Sequence, residues 1–269
     1  MSKVFVVTGS TRGIGHGIAQ NLLKRGAQVV VSGRSQEAVD KVVTELGGAP
    51  NVAGKACEVS SYADQQALWD FAVETFGKVD SWVNNAGIGL PRKPLDEADP
   101  ADFEKIVRIN LLGAMNGTHV ALKGMKEQGF GDIWNMEGFG SGGQKAEGLA
   151  PYGSTKRALT YFTNSVAKEL DGGPVSIHHL SPGIVVTDLL VGDYAGDPEG
   201  FEKAKRIFNI LGDNVETVTP MLADGLLKGT KNGGRVAWLS GPKAAGRFAT
   251  AAFKKRDLFE GVEVPAAPQ

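Results

Sequence analysis

Short apolar runs alternate with amphipathic stretches along the first half of the chain. The apolar runs predict strands at residues 4–7, 29–31, 52–57 and 82–83. The stretches between them predict helices at residues 14–25, 36–46 and 62–76. Apolar runs without polar alternation are typical of parallel strands that are buried on both faces. This order predicts an α/β fold, in which a doubly wound parallel sheet is flanked by helices.

The second half of the chain continues the same pattern. Long helices are predicted at residues 103–128 and 152–170, and strands at residues 132–136, 175–180 and 235–239. The sequence has no linker, low-complexity tract or short repeat that would separate these elements. We therefore expect a single Rossmann-type domain over residues 1–240 and a C-terminal tail over residues 241–269.

Charge and cysteine content narrow the class of protein. The chain has 269 residues and a formal net charge of -1, which gives no general attraction to nucleic acids or anionic membranes, so no nucleic-acid partner is expected. The single cysteine, Cys57, excludes an internal disulfide, and we see no signal segment, so we expect a cytoplasmic protein. Because Cys57 falls in an apolar strand, an inert buried thiol is favoured over a reactive one.

A glycine-rich turn joins the first strand to the first helix. It contains Gly9, Ser10, Thr11, Arg12, Gly13, Ile14 and Gly15. Glycines allow a tight turn and a close approach of the backbone to a pyrophosphate, and the following helix presents free N–H groups and the positive end of its dipole. A turn of this kind at this place in the chain predicts a dinucleotide cofactor.

The end of the second strand indicates which dinucleotide is bound. NAD-binding sheets usually carry a carboxylate there for the ribose 2′-hydroxyl. This chain has no carboxylate between Val31 and Ser35, and Arg34 lies in that segment. Arg34, and Arg12 in the glycine-rich turn, present planar forks of donors that suit a 2′-phosphate; the alternative is that both are solvated surface charges. The sequence favours NADP(H) over NAD(H).

The second long helix begins with Tyr152 and carries Lys156 one turn later. Residues four apart share a helix face, so an ammonium lies beside a phenol and is expected to lower the pKa of the tyrosine. Such a phenol can give a proton to a carbonyl oxygen or take it back. The same pair is common on helices that have no catalytic role, so it needs support from other motifs.

Further motifs follow the predicted strands. The fourth strand leads into Asn84, Asn85, Ala86 and Gly87, the first long helix contains Asn110, and the sixth strand leads into Pro182, Gly183, Ile184 and Thr187. Together with the glycine-rich turn and the Tyr152–Lys156 pair, these motifs cover roughly residues 3–190. In order, residue type and spacing, this region resembles the short-chain dehydrogenases/reductases.

The resemblance implies a role for each matching residue. It implies that Tyr152 is the catalytic acid or base, that Lys156 is its partner, and that Asn110 holds a water in the proton relay to the lysine. Glu58 matches a position beside the adenine where the family more often has aspartate. The expected cofactor contacts are Gly9, Ser10, Arg12, Gly13, Ile14, Gly15, Arg34, Glu58, Asn85, Ala86, Gly87, Tyr152, Lys156, Pro182, Gly183, Ile184 and Thr187. The family assembles through its two long helices, which implies a homodimer or homotetramer.

One residue of the family pattern is missing. The family has a serine about a dozen residues before the tyrosine, where it hydrogen-bonds the substrate oxygen, and here Glu137 and Gly138 stand at those positions. Our hypothesis is that Ser141, in the same glycine-rich loop, takes over this role; the alternatives are a backbone N–H group or Tyr152 acting alone. Glu137 is interpreted as a second acid or base, as a substrate contact, or as a cap for local backbone N–H groups.

The segments 135–143, 152–156 and 181–190 also resemble the chlorophyll b reductases, which use NADPH to reduce a formyl group to a hydroxymethyl group. This resemblance implies the reduction of an aldehyde on a bulky apolar substrate. One alternative is a general carbonyl reductase or alcohol dehydrogenase for other lipophilic substrates. Another is a weakly catalytic NADP(H)-binding regulator, against which the proton-relay residues argue.

Three remaining features of the sequence concern the binding of the substrate, contact with a membrane surface and the binding of a metal ion. Residues 188–214 include several aromatic side chains and are predicted to be a substrate lid or, alternatively, a surface helix packed on the core. For the tail, a solvated segment or a subunit contact is favoured over a membrane-surface helix. His178 and His179 are adjacent in a predicted strand and point to opposite faces, so no metal site is expected.

Overall fold

The structure is a computed structural model, and it describes residues 2–253 and 255–266. Within these residues the strands are β1 (Val4–Val7), β2 (Gln28–Gly33), β3 (Val52–Ala56), β4 (Ser81–Asn84), β5 (Gly131–Met136), β6 (Val175–Ser181), β7 (Ile184–Val186), β8 (Gly212–Asn214) and β9 (Arg235–Ala237). The α-helices are α1 (Gly13–Leu23), α2 (Gln36–Glu45), α3 (Tyr62–Phe76), α4 (Pro100–Val107), α5 (Gly113–Gln128), α6 (Ala150–Glu169), α7 (Asp188–Gly192), α8 (Pro198–Leu211), α9 (Val215–Lys228) and α10 (Gly241–Thr250).

Seven of these strands form one parallel sheet in the order β3-β2-β1-β4-β5-β6-β9. Val6 of β1 pairs with Val30 of β2 on one side and with Trp82 of β4 on the other. The order of the strands reverses between β1 and β4, and in open α/β sheets ligands bind in the crevice outside the carboxyl ends of the strands at this point. The topology confirms the predicted doubly wound sheet in a single Rossmann-type domain.

Apolar side chains cover both faces of the sheet. Phe5 and Val7 of β1 pack into a cluster that includes Leu222 of α9, whereas Val6 packs into a second cluster that includes Leu68 of α3. Successive side chains of a strand point to opposite faces, so both faces are buried only when every position of the strand is apolar. This explains why the strand sequences carry no polar alternation.

The first long helix differs from its prediction in both length and continuity. It begins at Pro100, where Asp99 at the N-cap accepts a hydrogen bond from the N–H group of Ala101 at 2.9 Å. A π-helical turn at Arg108–Leu112 then joins α4 to α5. Apolar periodicity does not reveal a π turn, because one wider turn shifts the helix face by only one residue.

Three elements in the second half have no counterpart in the prediction: β7, β8 and α9. β7 and β8 form a second, two-stranded parallel sheet, and the sequence of β8 is Gly-Asp-Asn, without an apolar run. α9 contains Pro220 in its interior, a residue that argues against a helix in sequence-based prediction. These elements depend on partners that are distant in the chain.

The segment between β7 and β8, here called the lid segment (residues 187–211), has a small apolar core of its own. Tyr194, Phe201 and Phe208 pack there with Phe259 from the tail, and the ring centroids of Tyr194 and Phe201 lie 5.4 Å apart. α8 therefore has a buried face, as expected for the alternative that this segment is a surface helix packed on the core. Its function as a lid stays a prediction.

The tail is attached to the lid side of the molecule. Asp213 of β8 accepts hydrogen bonds from Arg247 of α10 at 2.7 Å, from Arg256 at 2.6 Å and from the indole Nε1 of Trp238 at 2.6 Å. These contacts attach Arg247 and Arg256 to the rest of the chain, but α10 has no buried residue among those described, so a solvated segment or a subunit contact stays a prediction for the tail. The parts of the predicted tail at Lys254 and residues 267–269 lie outside the described residues. In the described ranges, no helix is long and apolar enough to cross a membrane.

Candidate active site

The glycine-rich turn packs directly against the loop that follows β4. Gly9 has a φ of 61°, and a Cβ atom there would lie 2.8 Å from the Cα atom of Ala86. The side chain of Asn85 donates to the carbonyl oxygens of Thr8 at 2.8 Å and Gly9 at 3.0 Å. Only glycine fits both this backbone conformation and this contact. The predicted positions Gly9, Asn85 and Ala86 are thus brought together.

The N-terminus of α1 has the properties of an anion site. α1 begins at Gly13, which has a φ of 58°, and its first turn contains no acidic residue. Arg12 occupies the N-cap position and carries no acceptor with which to cap the helix. The N–H groups of the first turn and the positive end of the dipole therefore suit a pyrophosphate. A nicotinamide dinucleotide fits this turn.

Ser10 does not face the cofactor position. Its hydroxyl donates to the carbonyl oxygen of Val7 at 2.7 Å and accepts from the N–H group of Ser32 at 2.9 Å, and its own N–H group donates to the carbonyl oxygen of Ser32 at 2.8 Å. The residue is fully buried. Ser10 joins β1 to β2 under the turn, and its contact with the cofactor stays a prediction.

The two arginines proposed for a 2′-phosphate are in different surroundings. Arg34 is exposed directly after β2. Arg12 pairs with Asp188 of α7 at 3.0 Å, with both side chains about three-quarters exposed. An exposed pair contributes little to stability and can be exchanged for another anion. Arg34 and Arg12 both stay predicted phosphate contacts, and in this structure Arg12 also links the glycine-rich turn to the lid segment.

Two predicted features at the end of β3 lie side by side. Cys57 is buried, and burial raises the pKa of its thiol to about 12, with further contributions from Asp64 and Glu58. This agrees with an inert thiol, because the reactive form is the thiolate. The Glu58 carboxylate accepts from the N–H group and the hydroxyl of Ser60, both at 3.2 Å. Its place beside an adenine stays a prediction.

Tyr152 and Lys156 lie on the first turns of α6, as predicted. The Lys156 ammonium is 5.8 Å from the centroid of the Tyr152 ring and donates to the carbonyl oxygen of Met136 at 3.1 Å. The expected acidification of the phenol is wrong for this arrangement. Burial raises the pKa of Tyr152 above its ordinary value, and the carboxylate of Asp193 raises it further.

Burial lowers the pKa of Lys156, whereas it raises the pKa of Tyr152. Lys156 is only 5% exposed, and burial lowers the pKa of its ammonium to about 8, against the opposing charge of Glu137. Removal of water penalises the charged form of any buried group, so a phenol becomes a weaker acid and an ammonium a stronger one. The ammonium therefore titrates close to physiological pH.

The π turn fixes Asn110 beside the loop after β4. The Asn110 side chain donates to the carbonyl oxygen of Ile88 at 2.9 Å and accepts from its N–H group at 2.8 Å. A Cβ atom on Gly87 would lie 3.3 Å from the Asn110 amide oxygen and 3.8 Å from the Lys156 nitrogen. The predicted residues Gly87, Asn110 and Lys156 thus meet at one place. The water-holding role of Asn110 stays a prediction.

Gly138 stands where the family's serine is expected, against the phenol. A Cβ atom at Gly138 would overlap the hydroxyl oxygen of Tyr152 and lie 3.1 Å from the Cε atom of Lys156. Ser141 is turned to the backbone: its hydroxyl accepts from the N–H group of Gly138 at 3.2 Å and donates to the carbonyl oxygen of Lys156 at 3.4 Å. A polarising role for Ser141 stays a prediction, and it requires this hydroxyl to leave both partners.

The buried carboxylate of Glu137 lies in a polar cluster under the site, together with the buried His179 and the half-exposed Arg235. This carboxylate binds Arg235 of β9 at 2.7 Å and the Nδ1 atom of His179 at 3.3 Å. Burial raises the pKa of the Glu137 carboxyl, but the hydrogen bonds from His179 and Arg235 outweigh it, so the pKa lies below its ordinary value. The cap of local N–H groups is therefore the wrong interpretation of Glu137. Arg235 and His179 were missed because each is distant from Glu137 in the sequence.

The segment after β6 turns the chain toward the glycine-rich turn. Gly183, after Pro182, has a φ of 72°, and Ile184 begins β7. The Thr187 hydroxyl accepts from the N–H group of Leu190 at 3.4 Å and so caps α7, and its methyl group would lie 3.7 Å from a Cβ atom on Gly13. Thr187 thus lies close to the glycine-rich turn. Its contact with a nicotinamide stays a prediction.

His178 and His179, which are adjacent in β6, contact different partners, because successive side chains of a strand point to opposite faces. His178 Nε2 lies 2.8 Å from a carboxylate oxygen of Asp132, whereas His179 Nε2 lies 3.0 Å from the side-chain oxygen of Asn164. In the described part of the chain, no group of three or more His, Cys, Asp or Glu side chains is arranged to hold a metal ion.

Sequence reasoning also missed Asp193. This carboxyl group directly follows α7 and is 6% exposed, although it belongs to a type of residue that is normally solvated. Burial raises its pKa to about 7, against the opposing charge of Arg92. The signal available in the sequence was an acidic residue inside the apolar run Leu189, Leu190, Val191, Gly192, Asp193 and Tyr194.

Comparisons with known proteins agree with this arrangement. A profile of the family described as short chain dehydrogenase matches residues 3–196. The probable chlorophyll(ide) b reductase NYC1, chloroplastic, of Arabidopsis thaliana is 36% identical over 257 residues, which cover 88% of this chain and 51% of that protein. The chlorophyll(ide) b reductase NOL, chloroplastic, of Oryza sativa subsp. japonica is 37% identical over 225 residues, covering 81% of this chain and 64% of that protein.

The chain thus spans about half to two thirds of the length of these curated relatives. Among solved structures, a 3-ketoacyl-(acyl-carrier-protein) reductase from Brucella melitensis, complexed with NADH, is similar with a TM-score of 0.79 and 27% sequence identity. The similarity covers 90% of this chain and 98% of that chain.

Proposed function

The chain belongs to the short-chain dehydrogenase family, and on this premise we propose that it is an NADPH-dependent reductase of an aldehyde on a bulky apolar substrate, as in chlorophyll b. The observation that supports this most is the meeting of Tyr152, Lys156 and Asn110 around Gly87 and Gly138. This places a phenol and a buried ammonium at the carboxyl ends of β4 and β5, beside the glycine-rich turn.

The preference for NADPH rests on the end of β2. Arg34 is exposed there, and the segment from Val31 to Ser35 carries no carboxylate. A carboxylate would accept a hydrogen bond from a free 2′-hydroxyl and repel a 2′-phosphate, whereas a guanidinium attracts the phosphate. NADH in the similar solved structure concerns that protein. For this chain, Arg34 favours the phosphorylated cofactor.

Tyr152 is proposed as the general acid. When bound, NADPH supplies a hydride, which goes to the carbonyl carbon. The Tyr152 hydroxyl gives its proton to the carbonyl oxygen, so that the aldehyde becomes a primary alcohol. The tyrosinate left behind is stabilised by the Lys156 ammonium, and Lys156 is the group through which a new proton reaches it.

The apolar substrate is proposed from the lid segment and from the relatives. Leu189 and Ile207 of this segment are 36% and 38% exposed, and Tyr194 is buried in the aromatic cluster of the same segment. Apolar side chains near the carboxyl ends of the strands suit a substrate with a large apolar body. The names of the relatives point to the formyl group of chlorophyll b or of its phytol-free form.

A weakly catalytic NADP(H)-binding protein is the second candidate, and the glycine at position 138 is the observation that favours it. Without a serine hydroxyl beside Tyr152, one hydrogen bond to the substrate oxygen is missing unless another group provides it. A general carbonyl reductase for other lipophilic substrates is the third candidate. Assembly as a homodimer or homotetramer stays a prediction from the family.

One assay separates the three candidates. The purified protein is incubated with NADPH and a panel of chlorophyll b, its phytol-free form and simple aromatic aldehydes, and the loss of NADPH absorbance is followed. Tyr152→Phe should lower turnover at least ~100-fold, in line with loss of a general acid. The matched control is Tyr161→Phe, on the same helix but 76% exposed. Reduction of simple aldehydes alone supports a general reductase, and no turnover of any aldehyde supports a binding protein.

A further inference from the structure

Asp193 is a buried carboxyl group that lies against the loop after β4, and its Oδ1 atom has no hydrogen-bond partner among the described residues. The same atom lies against the backbone of Gly89, because a Cβ atom on Gly89 would overlap it. The loop that carries Gly89 also carries Gly87, which lies against Asn110 and Lys156, and the charge of Asp193 raises the pKa of the Tyr152 phenol. Leaving a buried acceptor unsatisfied costs free energy, so such a group calls for a partner.

The position of Asp193 is fixed from both sides of the cleft. Its backbone carbonyl oxygen accepts from the N–H group of Arg92 at 2.8 Å, which ties the lid segment to the loop after β4. The Arg92 guanidinium lies 4.3 Å from the centroid of the Tyr194 ring. The titratable or charged groups that interact with the carboxyl are thus Tyr152, Tyr194 and Arg92. The positive charge of Arg92 only partly offsets the rise that burial causes in the pKa of Asp193.

The site needs a second donor to the substrate oxygen. A carbonyl oxygen that gains negative charge has lone pairs for two hydrogen bonds, and Tyr152 supplies one. Gly138 has no side chain to supply the other, and the Ser141 hydroxyl is bound to two backbone groups. A neutral carboxylic acid can donate such a bond, as carboxyl groups kept protonated in apolar sites do.

We propose that Asp193, as a neutral carboxylic acid, donates this second hydrogen bond to the carbonyl oxygen of the aldehyde. The inference rests on the proposed reductase function and names a further catalytic residue for it. Asp193 keeps its proton throughout: Tyr152 alone gives a proton to the oxygen. An ionised Asp193 would instead repel the developing oxyanion and make Tyr152 a weaker acid.

The protonation state gives the proposal a signature in the pH profile. The burial-raised pKa of about 7 means that the donating form of Asp193 is present below this pH and is lost above it. kcat/KM for aldehyde reduction should therefore fall as the pH rises through about 7. Lys156, whose burial-lowered pKa is about 8, produces a second fall at higher pH.

The test compares two substitutions of Asp193. Asp193→Ala should lower kcat/KM by ~100-fold, the usual effect of removing one donor to a developing oxyanion. Asp193→Asn keeps an N–H donor of similar shape, so it should stay within about tenfold of wild type and lose the fall near pH 7 while keeping the one near pH 8. The control is Glu199→Ala, an exposed acid of the same lid segment.

A second pair of variants moves the carboxyl without removing it. Gly89→Ala places a methyl group on Oδ1 of Asp193 and should lower kcat/KM at least tenfold, while Gly192→Ala, whose added Cβ meets no atom within 4 Å, should not. Thermal unfolding and NADPH binding check that each variant is folded. These glycine variants and Asp193→Asn decide the question if Asp193→Ala does not fold.

The outcomes separate the two proposals. If wild type oxidises NADPH with an aldehyde, but Asp193→Ala and Gly89→Ala match it and Asp193→Asn keeps the fall near pH 7, the role of Asp193 is overturned and the reductase function stands. If wild type reduces no aldehyde at all, the proposed function is overturned and the inference with it.

Discussion

The hydroxyl oxygen of Tyr152 lies directly against the α-carbon of Gly138. The absence of a side chain at position 138 therefore has two effects: it removes a donor from the substrate oxygen, and it gives the phenol room to approach the strand end. The candidate active site is thus built around a glycine where the family resemblance leads us to expect a serine.

Restoring a side chain at this position should disable the enzyme. Gly138→Ala puts a Cβ atom on the phenol oxygen, so Tyr152 must move away, and kcat should fall at least tenfold without a change in NADPH affinity. Steady-state kinetics and NADPH fluorescence titration measure the two quantities. Gly153→Ala is the matched control, because its added Cβ lies 3.8 Å from its nearest neighbour, an ordinary contact. Equal kcat in both variants would show that the tyrosine does not need this space.

Glu137 should support the charge of Lys156. Burial lowers the pKa of Lys156 to about 8, and the Glu137 carboxylate is the group that opposes this effect. Glu137→Gln removes the negative charge, so the pKa of Lys156 should fall below 8. NMR titration of the lysine side chain measures it directly. Glu147→Gln, at an exposed position of the loop before α6, should leave it unchanged.

The preference for NADPH should depend on Arg34. Arg34→Asp replaces an attractive charge at the end of β2 with a repulsive one, so KM for NADPH should rise at least tenfold and KM for NADH should fall. Lys41→Asp makes the same change of charge on the exposed face of α2 and controls for the overall charge. An unchanged ratio of the two KM values in Arg34→Asp would contradict the assignment.

Asp213 should hold the tail in place, with a defined pH dependence. Burial raises the pKa of its carboxyl, but hydrogen bonds from Trp238, Arg247 and Arg256 outweigh this and place it below its ordinary value. A carboxyl with a lowered pKa adds stability above its ordinary pKa and loses it as the pH falls through the lower one. Asp213→Asn should reduce the free energy of unfolding at pH 7 by roughly 3 kcal/mol, as for a broken buried pair.

Thermal or urea unfolding at several pH values measures this effect, and amide hydrogen exchange in α10 locates it. The difference between Asp213→Asn and wild type should shrink as the pH falls below about 4 and on through the lowered pKa of Asp213, where the carboxyl becomes neutral like the amide. Asp224→Asn removes an exposed partner of Arg25 and should change stability less. If hydrogen exchange in α10 were the same in wild type and Asp213→Asn, the proposed attachment would be wrong.

Sequence patterns predicted those elements of the fold that are determined by residues close together in the chain. The strands β1 to β6, the glycine-rich turn and the Tyr152–Lys156 pair follow from apolar runs, glycine spacing and helix periodicity, which are all readable within a few residues. The π turn at Asn110 was not readable, since it changes no apolar pattern.

The roles of Glu137, Ser141 and Asp193 depend on distant partners. Arg235 of β9 meets Glu137 across the intervening strand β6, and Gly89 meets Asp193 across the cleft. The direction of the Tyr152 pKa also required the structure, because a sequence shows the neighbouring ammonium but does not show the loss of water around the phenol. Burial and pairing over long distances are properties of the folded chain.

Asp213 binds Arg247 of α10 and Arg256, which follows it, and Phe259 packs among the aromatic side chains of the lid segment. These contacts connect the tail to the lid segment. If α7 and α8 move to admit a large molecule, these contacts predict that α10 moves with them. A fluorophore attached to the exposed Phe248 position by a cysteine substitution would therefore register substrate entry, although it stands outside the catalytic centre.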